Sequence, residues 1–574
     1  MNRIVPDFEQ RRQAIDTASS FIVRAPAGSG KTELLIQRYL KLLSQVDAPE
    51  EIIAITFTRK AAAEMQSRIL AALRRAAIEP EPDSDHARET WQLARAALQR
   101  DRQLDWQLER NPARLKVMTI DALCAWLTRQ MPVLSGLGAQ PETLEDAGEL
   151  YEQAATNTLA ALNAGDSWSD SIARLLEHLD NDLPRVKQLI MAMLGKRDQW
   201  LPHVATDHRR DDLEAALQHI ISGTLDRARQ LVPPALVSEL CALADFAAEN
   251  LAAKTPDHPI VNCRSLPALP GAAVSDLPVW LGLSEMLLTA KHEWRQRADA
   301  RNGFPAASGN KAEAGRRADM KTRLQGLIQQ LRAVPGLLQA LQEVRMLPPP
   351  RYSDAEWDVV GALCQLLILA EGQLRLIFAE TNQMDFTGVS HAALNALGSD
   401  EEPTDLALIL DYRIRHLMVD EYQDISVNQF DLLQRLTTGW SDGDGHTVFV
   451  VGDPMQSIYR FREAEVGIFI NTWMRRRLGQ VALQPVAIHT NFRSQPGLVD
   501  WVNQGFARIM PTVEDVTTGA VSYEQSTAWH NVQPIRSVSV YPQFDRDAAT
   551  EAARLIEQLR VLRERDADGT IAIL

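Results

Sequence analysis

Cysteine is scarce in this chain. Cys124, Cys241, Cys263 and Cys364 are spread over 574 residues with no C-x-x-C pair, which excludes a zinc ribbon or a disulfide framework and leaves buried thiols as the expectation. Long apolar runs are also missing. No stretch of about 18 apolar residues occurs, and the opening from Met1 to Asp7 has no charged region leading into an apolar one. A cytoplasmic protein without membrane contact is expected. Positive charge is in deficit, with 60 Lys and Arg against 75 Asp and Glu and a net charge of -15. That balance disfavours a surface coated in phosphate contacts, yet a local basic groove remains compatible with nucleic acid. One locally basic stretch, Lys291 to Arg323, carries nine Lys or Arg against four Asp or Glu, with Gly303, Pro305, Gly309 and Gly315 giving it loop character. It suits a nucleic-acid backbone or a solvated loop.

What is present is ordinary soluble-protein composition, 45% hydrophobic and 24% charged, at a length that holds several domains. Its most informative segment is Ala25, Pro26, Ala27, Gly28, Ser29, Gly30, Lys31 and Thr32. The run follows the apolar Phe21 to Val23 and precedes residues with helical spacing, Leu35, Tyr39, Leu42 and Leu43. Gly28 and Gly30 let backbone N–H groups turn toward phosphate oxygens, Lys31 adds a charge at the outer phosphates, and the Thr32 hydroxyl is a ligand for magnesium. Far along the chain, Asp420 and Glu421 close the strand-like run Leu417 to Val419. An aspartate at a strand end can hold Mg2+, and its glutamate neighbour can orient or deprotonate water. A nucleotide hydrolase using Mg2+ is the reading.

An alternating α/β opening gives way to a stretch rich in Ala, Leu, Gln and Arg, from about residue 136 to 375, with apolar residues at three- and four-residue intervals. Strand signals return in Leu417 to Val419 and in Val448 to Val451, unbroken apolar runs of the kind a parallel sheet buries on both faces. The helical stretch therefore reads as an insertion into one nucleotide-binding α/β fold.

Five further blocks follow in order: Ile55 to Met65, Val117 to Cys124, Val419 to Asp424, Val451 to Arg462, and Asn491 to Ser494. Together with the phosphate loop they resemble the motifs of the UvrD/RecB/AddA branch of superfamily 1 DNA helicases. The loop sequence and the lead-in Met384 to Phe386 give a RecB- or AddA-like flavour. The resemblance implies a RecA-like P-loop NTPase sheet with a large, mainly helical insertion and the start of a second RecA-like domain. The implied division is a first motor domain over 1–135 and 376–480, a helical subdomain over 136–375, and a second motor domain opening over 481–574.

It also implies roles. Lys31, Asp420, Glu421, Gln456 and Arg493 would be catalytic, Gln456 sensing the terminal phosphate and Arg493 stabilising its charge. Phe492 falls where an aromatic stacks on adenine, and Gln10, or else Gln13, where a glutamine reads the adenine edge; the spacing from Gln10 to Ala14 and Ile15 is one residue off the common pattern. Tyr459 and Phe461 match aromatics that stack on bases of single-stranded DNA, contacts worth roughly 1 to 3 kcal/mol each. Phe57, Thr58, Lys60 and Thr119 match positions lining the strand's path, although Phe57 and Phe492 also suit a core. Asp121 stands where many relatives have histidine, and Glu463 where a glycine is common.

The implied function is an ATP-dependent helicase or translocase of 3'-to-5' polarity, on single-stranded DNA or duplex DNA ends, in double-strand-break repair with a nuclease and a partner subunit. An isolated nucleotide- and DNA-binding module is the alternative. A P-loop kinase is disfavoured by Gln456, Arg493 and the aromatic–cationic run Tyr459 to Arg462. No block resembling motifs V and VI or the nuclease motifs is present, and the close, Thr570 to Leu574, reads as a strand.

Overall fold

The computed structural model describes residues 5–131, 141–144, 146–165, 167–204, 210–307, 310–399, 402–459, 464–516, 519–531, 537–542, 544 and 547–573. They divide into two units, residues 1–147 with 378–574, and residues 148–377.

The first unit is built on β-branched and apolar runs that make strands: β1 Phe21–Arg24, β2 Ile52–Thr56, β3 Lys116–Thr119, β4 His416–Val419, β5 Thr447–Gly452 and β6 Gln484–Ala487. They form one sheet in the order β6-β1-β5-β4-β2-β3, with every pairing parallel. β1, β2, β4 and β5 are buried along their whole length, which is why their sequences do not alternate. The boundary expected at residue 481 meets an observed pairing here, because β6 lies beside β1 in this sheet.

Helices cover the sheet. Helix α1 is Phe8–Ala14, α2 Lys31–Leu43, α3 Arg59–Ile78, α4 Asp85–Gln103 and α5 Ile120–Gln130. The spacing read in α2 is borne out: Leu35, Tyr39, Leu42 and Leu43 are all buried, against Phe21, Val23, Phe449 and Val451 of the sheet. Burying each such side chain is worth about 1.5–3 kcal/mol. Among them lies a buried cation, Arg38, over the Phe449 and Phe21 rings at 4.7 and 5.4 Å. It donates to the carbonyls of Ala14 and Ser19, both at 2.8 Å, and so ties the end of α1 to the helix that follows the phosphate loop.

Among its described residues the second unit is helical, and its core gathers Trp280, Leu283, Phe304, Leu324, Leu331 and Leu341. The close packing requires glycine at Gly303, which has φ +84° and where a Cβ would lie 2.4 Å from the Ala247 carbonyl oxygen. The loop expected over Lys291 to Arg323 is in part a helix, Lys311–Arg332. Asn310 caps it by accepting from Glu313 N–H at 2.9 Å, and Met320, Leu324, Leu327 and Leu331 give it a buried face that outweighs Gly315. Its charge is also spent locally, in Arg317–Glu313 at 2.6 Å and Arg323–Glu239 at 2.7 Å.

Three of the four cysteines are buried, Cys364 partly so. Among the described residues one helix, Asp354–Thr381, is long and apolar enough by length and composition to cross a membrane, and the pair Arg210–Leu231 and Pro234–Ala252, bent by 110°, passes the same test only if taken together; Gln365 and Glu371 interrupt the apolar run of the first. The strand expected at the end is not formed over 570–573; none of the described strands pairs with these residues to satisfy their backbone.

Candidate nucleotide-binding site

The carboxyl ends of parallel strands are where an open α/β sheet leaves a crevice. Most of the motif blocks leave the sheet at that edge. The loop Ala25 to Gly30 follows β1, Phe57 follows β2, Asp420 follows β4 and Asp453 follows β5. Ala25 N–H continues the ladder to the Gly452 carbonyl at 3.0 Å, and Asp420 N–H continues it to Ile55 at 2.8 Å.

The loop needs its glycines. Gly28 and Gly30 have φ +77° and +79°, and a Cβ at Gly28 would stand 2.8 Å from Asn491 Oδ1. Gly30 caps α2, whose first turn carries Lys31 and Thr32 with their N–H groups at the positive end of the helix dipole. The Ser29 hydroxyl is buried with no partner among the described residues.

Lys31 Nζ lies 2.6 Å from Glu421 Oε2, so the two ends of the sequence motif meet directly. Glu421 is held at φ +52°, ψ +42°, a left-handed conformation that costs a non-glycine residue about 1–2 kcal/mol and that clusters at functional sites. Its N–H donates to Asp420 Oδ1 at 2.9 Å. Burial above all pushes the Asp420 carboxyl up to about 6, with the Glu421 charge adding and Lys31 opposing. Asp424 is likewise pushed up to about 6, chiefly by burial.

One residue that the motif reading passed over joins these groups. Gln423, almost fully buried, donates to Glu421 Oε2 at 2.8 Å and to Asp424 Oδ2 at 3.0 Å, while its own Oε1 accepts from Asp453 N–H at 2.9 Å. Asp453 accepts in turn from the Gln456 amide and from the backbone of Ala27. The glutamate, the phosphate loop and Gln456 therefore share one hydrogen-bond chain. Gln423 lies inside a quoted block, and its amide, able to donate and accept at once, was the available signal.

The other flank of the loop is closed by the segment after β6. Asn491 Nδ2 donates to the Ala27 carbonyl at 3.0 Å, and its Oδ1 accepts from Arg493 and Ser494 N–H at 2.9 and 2.8 Å. Phe492 N–H donates to the Gly28 carbonyl at 2.8 Å. Gln10 is exposed, and Gln13 is turned toward Gln484 at 3.2 Å. The α1 side chain that reaches the loop is Arg11, which donates to the Ser29 carbonyl at 2.7 Å and lies 5.0 Å from the Phe492 ring centre. Arg11 stands one residue from Gln10, which matches the size of the spacing offset.

At the opposite end of the sheet edge, Phe57 and Tyr459 rings pack with centroids 4.5 Å apart. Thr58 and Thr119 cap α3 and α5, accepting from Ala61 and Ala122 N–H, both at 3.1 Å. Thr56 and Thr119 are register partners in β2 and β3, which sets these two helix N-termini side by side, with Lys60 exposed in the first turn of α3. Phe461 lies outside the described residues.

A hydroxyl and a carboxylate at the loop, Thr32 and Asp420, are hard oxygen donors of the kind magnesium takes when nucleotide phosphates complete its shell. Among the described residues no cluster of three or more His, Cys, Asp or Glu offers a self-contained metal cage.

Comparison with known proteins agrees with this geometry. The chain is 24% identical over 581 residues to an ATP-dependent helicase/nuclease subunit of Lysinibacillus sphaericus, covering 95% of this chain and 43% of that protein. It is 28% identical over 562 residues to the protein of the same name from Desulfitobacterium hafniense, covering 90% and 37%, and 26% identical over 567 residues to that of Moorella thermoacetica, covering 93% and 37%. The chain thus spans about two fifths of the length of these curated relatives. The model of the UvrD/REP helicase N-terminal domain matches residues 7–474, and with that match over most of its length the chain belongs to the UvrD/REP helicase N-terminal domain family.

Proposed function

We propose that the chain is the nucleotide-hydrolysing part of an ATP-dependent DNA helicase that moves 3'-to-5' along single-stranded DNA from duplex ends, in cytoplasmic double-strand-break repair and recombination, alongside a nuclease activity and a partner subunit. In this reading, residues 1–135 and 376–480 are the first motor domain, 136–375 the helical subdomain and 481–574 the opening of the second. The observation that carries it is the 2.6 Å contact of Lys31 with Glu421, wired through Gln423 and Asp453 to Gln456.

The phosphate chain lies along the N–H groups of Ala27 to Thr32, and Lys31 turns from Glu421 to the outer phosphates. Glu421, freed of its cation, orients and deprotonates the attacking water. Thr32 and Asp420 would hold Mg2+, which would supply positive charge at the phosphates. Gln456 contacts the terminal phosphate and reports it through Asp453, Arg493 stabilises its charge, and Phe492 stacks on the base. The single strand runs over Phe57, Tyr459 and Phe461, with Thr58, Lys60 and Thr119 on its phosphates. Paired helix N-termini support that path, since their N–H groups favour anions.

The test is hydrolysis of ATP with and without single-stranded DNA, beside Lys31→Ala. Stimulation by DNA and a fall of at least about 100-fold in the variant are expected. Unstimulated turnover that survives Lys31→Ala would overturn the reading, and binding of both ligands without hydrolysis would favour a binding module.

A further inference from the structure

A buried cation at the root of the phosphate loop has no part in the chemistry above. Arg24 ends β1, directly before the loop, and is 4% exposed. Its guanidinium lies over the Trp473 ring at 4.5 Å, on the helix Val466–Arg475. Nη1 donates to Glu514 at 2.9 Å and to Glu524 at 2.8 Å, and Nη2 donates to the second Glu514 oxygen at 3.4 Å. Stacking on a ring while serving two carboxylates is chemistry for a planar guanidinium; a lysine ammonium has the charge without the plane. A buried triad of this kind is often no more stabilising than apolar residues of the same size. What distinguishes this one is what it holds.

Asp515 and Ala520 exchange backbone hydrogen bonds, both at 3.0 Å, and Ser522 Oγ donates to Glu514 at 3.1 Å. The two glutamates are thereby fastened to one another as well as to Arg24. From Glu524 the contacts run both ways. Its N–H lies 3.5 Å from Met455 Sδ, in the turn Pro454–Gln456. Next to it, the Tyr523 hydroxyl donates to Asn503 Oδ1 at 2.8 Å, and Asn503 Nδ2 donates to the Ser526 carbonyl at 2.9 Å. Asn503 belongs to the helix Pro496–Ile509, which begins three residues after Arg493. The turn on one side and the helix on the other lead to Gln456 and Arg493, the two side chains that the reading above brings to one terminal phosphate. Groups that must meet a single phosphate are sensitive to displacements of an ångström.

We propose that Arg24 is a positioning residue for recognition of the terminal phosphate: through Glu514 and Glu524 it sets the turn of Gln456 and the helix after Arg493 in fixed register. The inference rests on the nucleotide-hydrolysing reading above. It adds a residue that acts only through others.

The test is displacement of fluorescent N-methylanthraniloyl-ADP from the full chain, with Mg2+, by ADP and by the non-hydrolysable ATP analogue AMP-PNP. Gln456→Ala removes a hydrogen bond to a charged group and is expected to lower the AMP-PNP-to-ADP affinity ratio about tenfold. Glu524→Ala leaves one buried cation against one carboxylate, and Arg24→Met/Glu514→Gln/Glu524→Gln leaves no charge in the clamp. Both are expected to lower the ratio at least about threefold, with ADP affinity within about twofold of wild type. A purely structural brace would weaken the two nucleotides in step. A ratio unmoved in both clamp variants, while Gln456→Ala moves it, would therefore overturn the assignment and leave the nucleotide site standing. A ratio unmoved in Gln456→Ala would take Gln456 away from the phosphate, and the clamp's task with it. Failure of the probe to bind wild type would overturn the nucleotide reading itself.

Discussion

The edge of the sheet and the helical unit of residues 148–377 obey different rules. In the helical unit, local and global preferences mostly agree: apolar residues at helical spacing are buried, Asn310 and Asp182 cap helices by accepting backbone N–H groups, and charges pair, as in Arg317–Glu313, with Ser284 Oγ and Asn302 Nδ2 as buried exceptions among the described residues. At the sheet edge they conflict. Glu421 is held in a left-handed conformation, Gln423 and Asp453 are buried polar groups, and the Ser29 hydroxyl is buried without a partner among the described residues. Each conflict costs folding free energy, and at the sheet edge the conflicts fall on the phosphate loop and on the residues beside it, where stability gives way to chemistry.

Substitutions that separate stability from chemistry test that contrast. Trp280 is fully buried in the helical core with its indole N–H on the Gly271 carbonyl at 2.8 Å. Trp280→Ala is expected to destabilise the helical unit by about 3–5 kcal/mol, read as a lower calorimetric transition; an unchanged transition would mean the core is not organised around that ring.

The second case is a buried histidine within the sheet itself. His416 Nδ1 lies 2.8 Å from Thr447 Oγ1, and burial, reinforced by the charges of Arg38, His446 and Arg415, lowers its pKa to about 3 from 6.5. The unfolded chain takes up the proton first as pH falls. The histidine's contribution to stability is therefore complete above pH about 6.5 and is lost as pH falls toward about 3, on the order of 2–4 kcal/mol in all. Chemical denaturation of wild type and His416→Gln at pH 7 and 5 measures the difference. The wild type should lose more on acidification than the variant, and equal losses would remove His416 from the account.

A smaller effect is expected at a helix end. Asn310→Ala should cost about 1 kcal/mol in the helical unit and leave nucleotide affinity unchanged. Denaturant titration and nucleotide displacement on the same sample check both halves.

The sequence carried the strands at β1, β4 and β5, because strands buried on both faces are written as unbroken apolar runs. It carried the loop, because only glycine tolerates the angles at Gly28 and Gly30. The helix over Lys311–Arg332 was obscured by Gly315 and by its charge, since its ion-pair partners, such as Glu239, are remote in sequence. Gln423 was in view but had no visible task until folding brought Asp453 to it. Arg11 was hidden by a one-residue offset, and only its contacts with Ser29 and Phe492 distinguish it from Gln10. The expected closing strand has no partner among the described strands, and pairing is not written in a sequence.

The central claim is that Glu421, strained and paired with Lys31, acts on water rather than on nucleotide binding. Single-turnover hydrolysis of ATP by Glu421→Gln, with binding measured separately, tests it most directly. Affinity should stay within about threefold of wild type, while hydrolysis falls by about 100-fold or more. Hydrolysis at the wild-type rate in a variant that still binds ATP would contradict the account.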